Sequence, residues 1–298
     1  MQEKAITLKG AAKLAAIITL PDATQRDSNA PGVIILNEGI LHRIGAGRLH
    51  VKMARQLAKL GYLCMRMDHS SIGDSGPRRG TETFEVAAVT EVQLAMTYLT
   101  EIYGTKKFII YGLCSGSDVA FDLAVLDDRI AGIIQLDAHI YTTRKSVINQ
   151  FVSHYGSRLF KLSAWTGAIR RKFSELLTGK KKSKLDVLDE EGRDEWYADP
   201  DYIRVKPPKE YVEKGLTTIT AKNIPMYVCF TDGGYYGVYN YVNQYRDAFS
   251  RVNFGNLLEV QFIVGSTHLF TALTHQEQLF QEINAWLGKH NLLPNPEK

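Results

Sequence analysis

The chain has 298 residues, of which 45% are hydrophobic and 23% charged, enough for one large α/β domain plus an insertion and too apolar for a disordered chain. Its three cysteines, Cys64, Cys114 and Cys229, lack framework spacing, which argues against a disulfide scaffold and for a reducing compartment. The net charge of +4 is mild, no apolar run approaches the roughly 20 residues of a membrane span, and residues 5–20 are interrupted by Lys9 and Lys13, so the expected location is the cytoplasm.

Residues 5–9 and 13–20 read as two short strands separated by Gly10 and closed by Pro21-Asp22. Residues 32–36 form a continuous apolar strand of the kind buried on both faces of a parallel sheet, leading into Asn37-Glu38-Gly39-Ile40. A helix is predicted over 48–60, with Leu49, Val51, Met53, Leu57 and Leu60 near helical spacing and Gly61 at its end. A strand over 62–67 precedes the glycine and serine loop 68–76, and a long helix spans 83–102. The strand 107–113 and helix 115–126 follow, then a strand over 130–136 that ends at Asp137-Ala138-His139. Strands alternating with helices at this rhythm give a mostly parallel sheet with helices on both faces, with any site at the carboxyl ends of the strands.

From Tyr141 the pattern breaks. Residues 141–185 hold eleven Lys or Arg against one acid, Glu175, and residues 186–201 hold eight acids against Arg193. This charge-polarised stretch reads as an inserted, mainly helical cap over 141–215, interrupting a core of 1–140 and 216–298. The alternation resumes with a strand over 225–231, a helix over 239–250, a strand over 257–264 and a final helix over 275–289.

The chemistry centres on Gly112-Leu113-Cys114-Ser115-Gly116, where an apolar strand turns into a helix. A G-x-nucleophile-x-G turn presents its central residue on a strained bend, and the two glycines relieve clashes that side chains would make. Only the register with Cys114 at the centre uses both glycines; placing Ser115 there would put Leu113 and Ser117 at the glycine positions. A thiol at a helix N-terminus lies in the positive end of the dipole, which favours the nucleophilic thiolate. The bland alternative is an inert core cysteine at an ordinary strand-helix turn.

A thiolate nucleophile needs a base, and the base an orienting acid. Asp232 and His268 lie just past the ends of the two last predicted strands, in the order acid then histidine; Asp137 and His139 are the rival pair. The expected oxyanion donors are the backbone N–H groups of Ser115 and Ile40, and Glu38 either modulates the thiol or pairs with Arg43 or solvent.

The elbow, Asp232, His268 and the strand rhythm resemble the α/β-hydrolase superfamily over nearly the whole chain. The segments 36–45, 66–75 and 136–144 are similar to exosortase-A-system-associated hydrolases, a serine-aminopeptidase-like branch found beside exopolysaccharide and natural-product genes. The Cys elbow with Glu38 at the end of an earlier strand is similar to dienelactone hydrolase, in which a glutamate so placed contacts the thiol. The resemblance implies an α/β-hydrolase fold and a cysteine hydrolase that cleaves an ester or thioester through an acyl-Cys114 intermediate. Two alternatives stay open: an acyltransferase or cyclase resolving that intermediate with an alcohol or amine, and a catalytically silent binding protein.

The basic part of the cap, with Arg144, Arg170 and Arg171, is either a solvated face or a surface for an acidic partner such as an acyl carrier protein or a coenzyme A thioester. Nucleic acid is not expected, since no recognition fold or basic-aromatic interleaving accompanies the charge. Tyr235 and Tyr236 would line a pocket for the acyl chain. No metal or cofactor motif stands out.

Overall fold

The computed structural model describes residues 1–27, 29–159, 204–231 and 239–295. Eight strands build one sheet: β1 (Gln2–Lys9), β2 (Lys13–Leu20), β3 (Gly32–Ile35), β4 (Cys64–Met67), β5 (Phe108–Leu113), β6 (Ile130–Leu136), β7 (Met226–Thr231) and β8 (Leu258–Ile263). Their spatial order is β1-β2-β4-β3-β5-β6-β7-β8. The hairpin β1–β2 and the pair β2–β4 are antiparallel, and every pair from β4 through β8 is parallel.

Strand composition follows position in the sheet. β3, β4, β5 and β7 are buried along their whole length, whereas β1 at the edge is mostly exposed and carries the charges that an edge needs. The helices are α1 (Leu49–Lys59), α2 (Phe84–Tyr103), α3 (Ser115–Leu126), α4 (Arg144–Leu159), α5 (Lys209–Ala221), α6 (Gln244–Ala248) and α7 (Leu273–Lys289).

Two apolar layers flank the sheet. On one side α2, α3 and α5 bury Ala88, Val92, Leu123 and Leu216 against Ile110, Ile133 and Val228. On the other, α1 and α7 bury Met53, Leu57, Ile283 and Trp286 against Ile35, Ile109 and Tyr227. Burying each such side chain stabilises the fold by roughly 1.5–3 kcal/mol, so this packing holds the carboxyl edge of the sheet as a rigid platform.

The predicted helix over 239–250 is shorter in the structure, because side chains hold its first residues in an irregular path. Tyr239 stacks on Phe230 with centroids 4.1 Å apart, Asn240 Nδ2 donates to the Ser146 carbonyl, and Gln244 Oε1 accepts from Asn240 N. The expected boundary at 215/216 falls inside α5, which packs against α3 with Gly215 close to the Phe121 ring. The part of the expected cap over 160–203 lies outside the described residues. Among the described residues no helix is long and apolar enough to cross a membrane.

Candidate active site

The site is built at the turn between β5 and α3. Cys114 adopts φ 57 and ψ −119, a conformation that a side chain rarely tolerates and that costs of order 1–3 kcal/mol. Its surroundings enforce it. Cys114 N donates to the Leu136 carbonyl on β6 at 3.0 Å, while Ser117 N and Ser117 Oγ both donate to the Cys114 carbonyl, at 3.0 and 2.7 Å.

The flanking glycines are sterically required. A Cβ at position 112 would stand 2.0 Å from the Gly116 carbonyl oxygen, and one at position 116 would stand 2.6 Å from the Asn37 carbonyl oxygen. The second contact brings the loop after β3 against the start of α3. Gly39 N donates to Ser115 Oγ at 2.9 Å across the same junction.

That loop is anchored from β4. The buried carboxylate of Asp68 accepts from Asn37 Nδ2 at 3.1 Å, from Arg43 N and from the Arg43 guanidinium, and His69 N donates to Asn37 Oδ1 at 2.7 Å. The chain turns at 38–41, closed by Leu41 N donating to the Glu38 carbonyl at 2.9 Å. The Ile40 side chain faces solvent, which a residue contributing its backbone can do.

Glu38 is buried, with Oε1 accepting from Ala46 N at 2.9 Å. Burial pushes its carboxyl up, opposed by the Ala46 N–H and by the nearby His268 charge. It does not pair with Arg43, whose guanidinium holds Asp68 and Asp74.

The loop after β8 brings in His268. Its Nδ1 lies 2.6 Å from Asp137 Oδ2, and the imidazole is near enough to Cys114 to be the main influence lowering its thiol. Asp137 follows β6 in a left-handed conformation, φ 46, and is fully buried; it also accepts from Thr231 N at 2.9 Å and Thr231 Oγ1 at 2.8 Å. The carboxylate on His268 is therefore Asp137, one member of the rival pair. Asp232, expected in that role, lies outside the described residues, as do Arg170, Arg171, Tyr235 and Tyr236. His139, the other rival, does not join this array; its Nε2 lies 3.2 Å from Asp118.

Electrostatics favour a thiolate–imidazolium pair. Burial opposes ionisation of Cys114, but the His268 hydrogen bond, the Arg204 charge and the Ser115 N–H together hold the thiol below its ordinary value. The Asp137 hydrogen bond, then that of Cys114, pushes His268 up to about 10 against the effect of burial.

Arg204, which the sequence did not single out, stands over the nucleophile. Its Nη1 lies 3.7 Å from Cys114 Sγ and donates to the Asp137 carbonyl at 3.1 Å, while Nε and Nη2 hold the two oxygens of Asp118 at 2.7 and 2.8 Å. Arg144, expected to meet substrate from the cap, opens α4 and is exposed. Among the described residues no group of three or more His, Cys, Asp or Glu side chains is placed to hold a metal ion.

No protein-family model matches this chain, and no curated protein matches it. Solved structures do. A protein of Butyrivibrio proteoclasticus, solved with ferulic acid bound, is 17% identical with a TM-score of 0.61 over 96% of this chain and 99% of that one. This is an α/β-hydrolase fold. A Pyrococcus furiosus esterase aligns over 99% of this chain and 92% of its own at 16% identity and a TM-score of 0.57. An α/β serine hydrolase homologue from Coxiella burnetii aligns over 95% and 96% at 14% identity and a TM-score of 0.56. Within that α/β-hydrolase fold, the present chain carries sulfur at the elbow.

Proposed function

We propose that this protein is a cysteine-dependent hydrolase that cleaves an ester or thioester through an acyl-Cys114 intermediate. The observation that carries this reading is the His268–Asp137 hydrogen bond at the carboxyl edge of the sheet, where the strained elbow presents Cys114. The similarity to proteins described as an esterase and a serine hydrolase homologue supports the same class of chemistry.

The Cys114 thiolate attacks the carbonyl carbon, and the carbonyl electrons move onto oxygen. That oxyanion accepts hydrogen bonds from Ser115 N and from a backbone N–H of the 38–41 turn, of which Ile40 is the candidate because Gly39 N already serves Ser115 Oγ. Collapse expels the alcohol or thiol, which takes its proton from the His268 imidazolium. Water then attacks the thioester while neutral His268 accepts its proton, and the acid leaves as the thiolate–imidazolium pair is restored. Thioesters and activated esters suit this nucleophile. With an amide, the tetrahedral intermediate expels thiolate more readily than amine.

The segment 141–215 acts as the cap in this reading, and its basic residues Arg144, Arg170 and Arg171 face an acidic carrier protein or a coenzyme A thioester. The decisive test is intact-protein mass after mixing wild type and Cys114→Ala with a panel of acyl thioesters. An acyl adduct or released acid that requires Cys114 supports the mechanism. No adduct and no turnover, with Cys114 also inert to iodoacetamide, would overturn it.

A further inference from the structure

A cavity of about 270 Å³ opens beside the elbow. Gly39, Ser115 and Arg204 border it where a reacting carbonyl would sit, and α3 runs along one wall. Asp118 and Asp122 follow Ser115 at successive turns of that helix, so Asp122 lies about 12 Å along the axis from Cys114. Phe84, Phe121, Val205 and Tyr245 supply the apolar surface. Since a dry cavity of about 150 Å³ accommodates benzene, this one has room for a ring with a short spacer, or a short aliphatic chain.

The polar groups in the wall are mostly acceptors. Gln135 on β6 is 2% exposed, and its Nε2 donates to the Ser117 carbonyl at 2.8 Å. That bond fixes which way round the amide lies and leaves Oε1 with no hydrogen-bond partner among the described residues. A buried acceptor left unpaired costs roughly 1–3 kcal/mol, which a donor brought by a ligand would offset. Asp122 Oδ1 accepts from Tyr211 Oη at 2.9 Å, and Glu85 stands in the same wall. The Arg204 guanidinium is already engaged, gripping Asp118 through two nitrogens, and His139 Nε2 meets the same carboxylate at 3.2 Å. An anionic tail would therefore meet carboxylates, whereas a hydroxyl or ammonium would meet acceptors.

Resting on the acyl-cysteine reading above, we infer that this cavity is the acyl pocket and that it selects a compact, mainly apolar acyl group bearing a hydrogen-bond donor, received by Gln135 and Asp122.

Calorimetry on Cys114→Ala tests this without requiring turnover. The probes are two families of free acids: 3-phenylpropanoate with its 4-hydroxy and 4-aminomethyl forms, and hexanoate with its 6-hydroxy and 6-amino forms. At least one donor-bearing acid should bind roughly tenfold tighter than its parent, the equivalent of about 1.4 kcal/mol. That advantage should fall toward unity on adding Gln135→Met, which keeps the volume, or Asp122→Asn, which removes the charge and weakens the ammonium form most. The hydroxyl and amino arms separate the two donor chemistries. Equal binding of donor and parent acids, an advantage that survives both substitutions, or no binding by any probe at millimolar concentration would each overturn the inference. Failure of the thioester panel alone would instead count against the cysteine mechanism.

Discussion

His268 and Asp137 meet through a 2.6 Å hydrogen bond between loops that follow β8 and β6, strands separated in the sheet by β7. The bond engages Nδ1 and leaves Nε2 as the ring nitrogen available for acid–base transfer at Cys114. Asp137→Asn should therefore slow acylation in single-turnover experiments by on the order of 10³-fold or more, as expected when the orienting acid of a triad is neutralised. Asp232→Asn should retain acylation near the wild-type rate. Thermal melts of both variants separate this effect from unfolding, since Asp137 also accepts from Thr231 N and Thr231 Oγ1.

The thiolate–imidazolium pair predicts an unusual pH profile. An ordinary thiol titrates near 8.5, so its alkylation rate falls steeply below that pH. With Cys114 held below its ordinary value and His268 pushed up to about 10, the midpoint of alkylation by iodoacetamide should lie at lower pH than that of an ordinary thiol. Raising the pH through 10 removes the imidazolium proton and changes the rate again. The same two shifts act on stability with opposite signs. A raised His pKa makes stability fall as pH rises from about 6.5 toward 10, and a lowered Cys pKa makes it rise as pH climbs toward the ordinary thiol value. The two slopes oppose each other because one proton has moved between partners.

The elbow was legible because its geometry needs glycine at two fixed positions around a nucleophile and an apolar strand running directly into the first of them, as 108–116 supplies. His268 was legible as a histidine at the end of the last strand. The acid was left open, because Asp137 and Asp232 both follow apolar strands; the structure brings Asp137 to His268, and Asp232 lies outside the described residues. Arg204 had no signal at all: it sits alone in a sequence without periodicity and reaches Cys114 across ninety residues of chain. Gln135 sits in an apolar strand, where its amide reads as an exception rather than as a wall of a cavity.

Arg204 tests how much of the thiolate's stability comes from charge. Its guanidinium lies within reach of Sγ and is the second influence, after His268, lowering the Cys114 thiol. Arg204→Met should move the midpoint of the alkylation profile upward, and Arg204→Lys should restore only part of the shift, because an ammonium cannot hold both Asp118 oxygens while facing sulfur. A merely structural role would lower the melting temperature and leave the midpoint where it was.

Gly116 tests whether the approach of the 38–41 turn to the elbow is needed for catalysis as well as folding. A Cβ there would press within 2.6 Å of the Asn37 carbonyl oxygen, and neither side gives easily: Asn37 is tied to Asp68 and His69, and Gly116 lies in the first turn of α3. Gly116→Ala should destabilise the protein by roughly 1–3 kcal/mol in denaturant titrations, as overpacking does. In the fraction that remains folded, the turn must retreat from Ser115, lengthening the Gly39 N–Ser115 Oγ bond and drawing the second oxyanion donor away. The variant should thus lose kcat with little change in KM, on the order of 10²-fold, the effect of removing one such donor. Alkylation of Cys114 by iodoacetamide, which develops no oxyanion, should stay near the wild-type rate; a parallel loss there would place the defect in the thiolate instead.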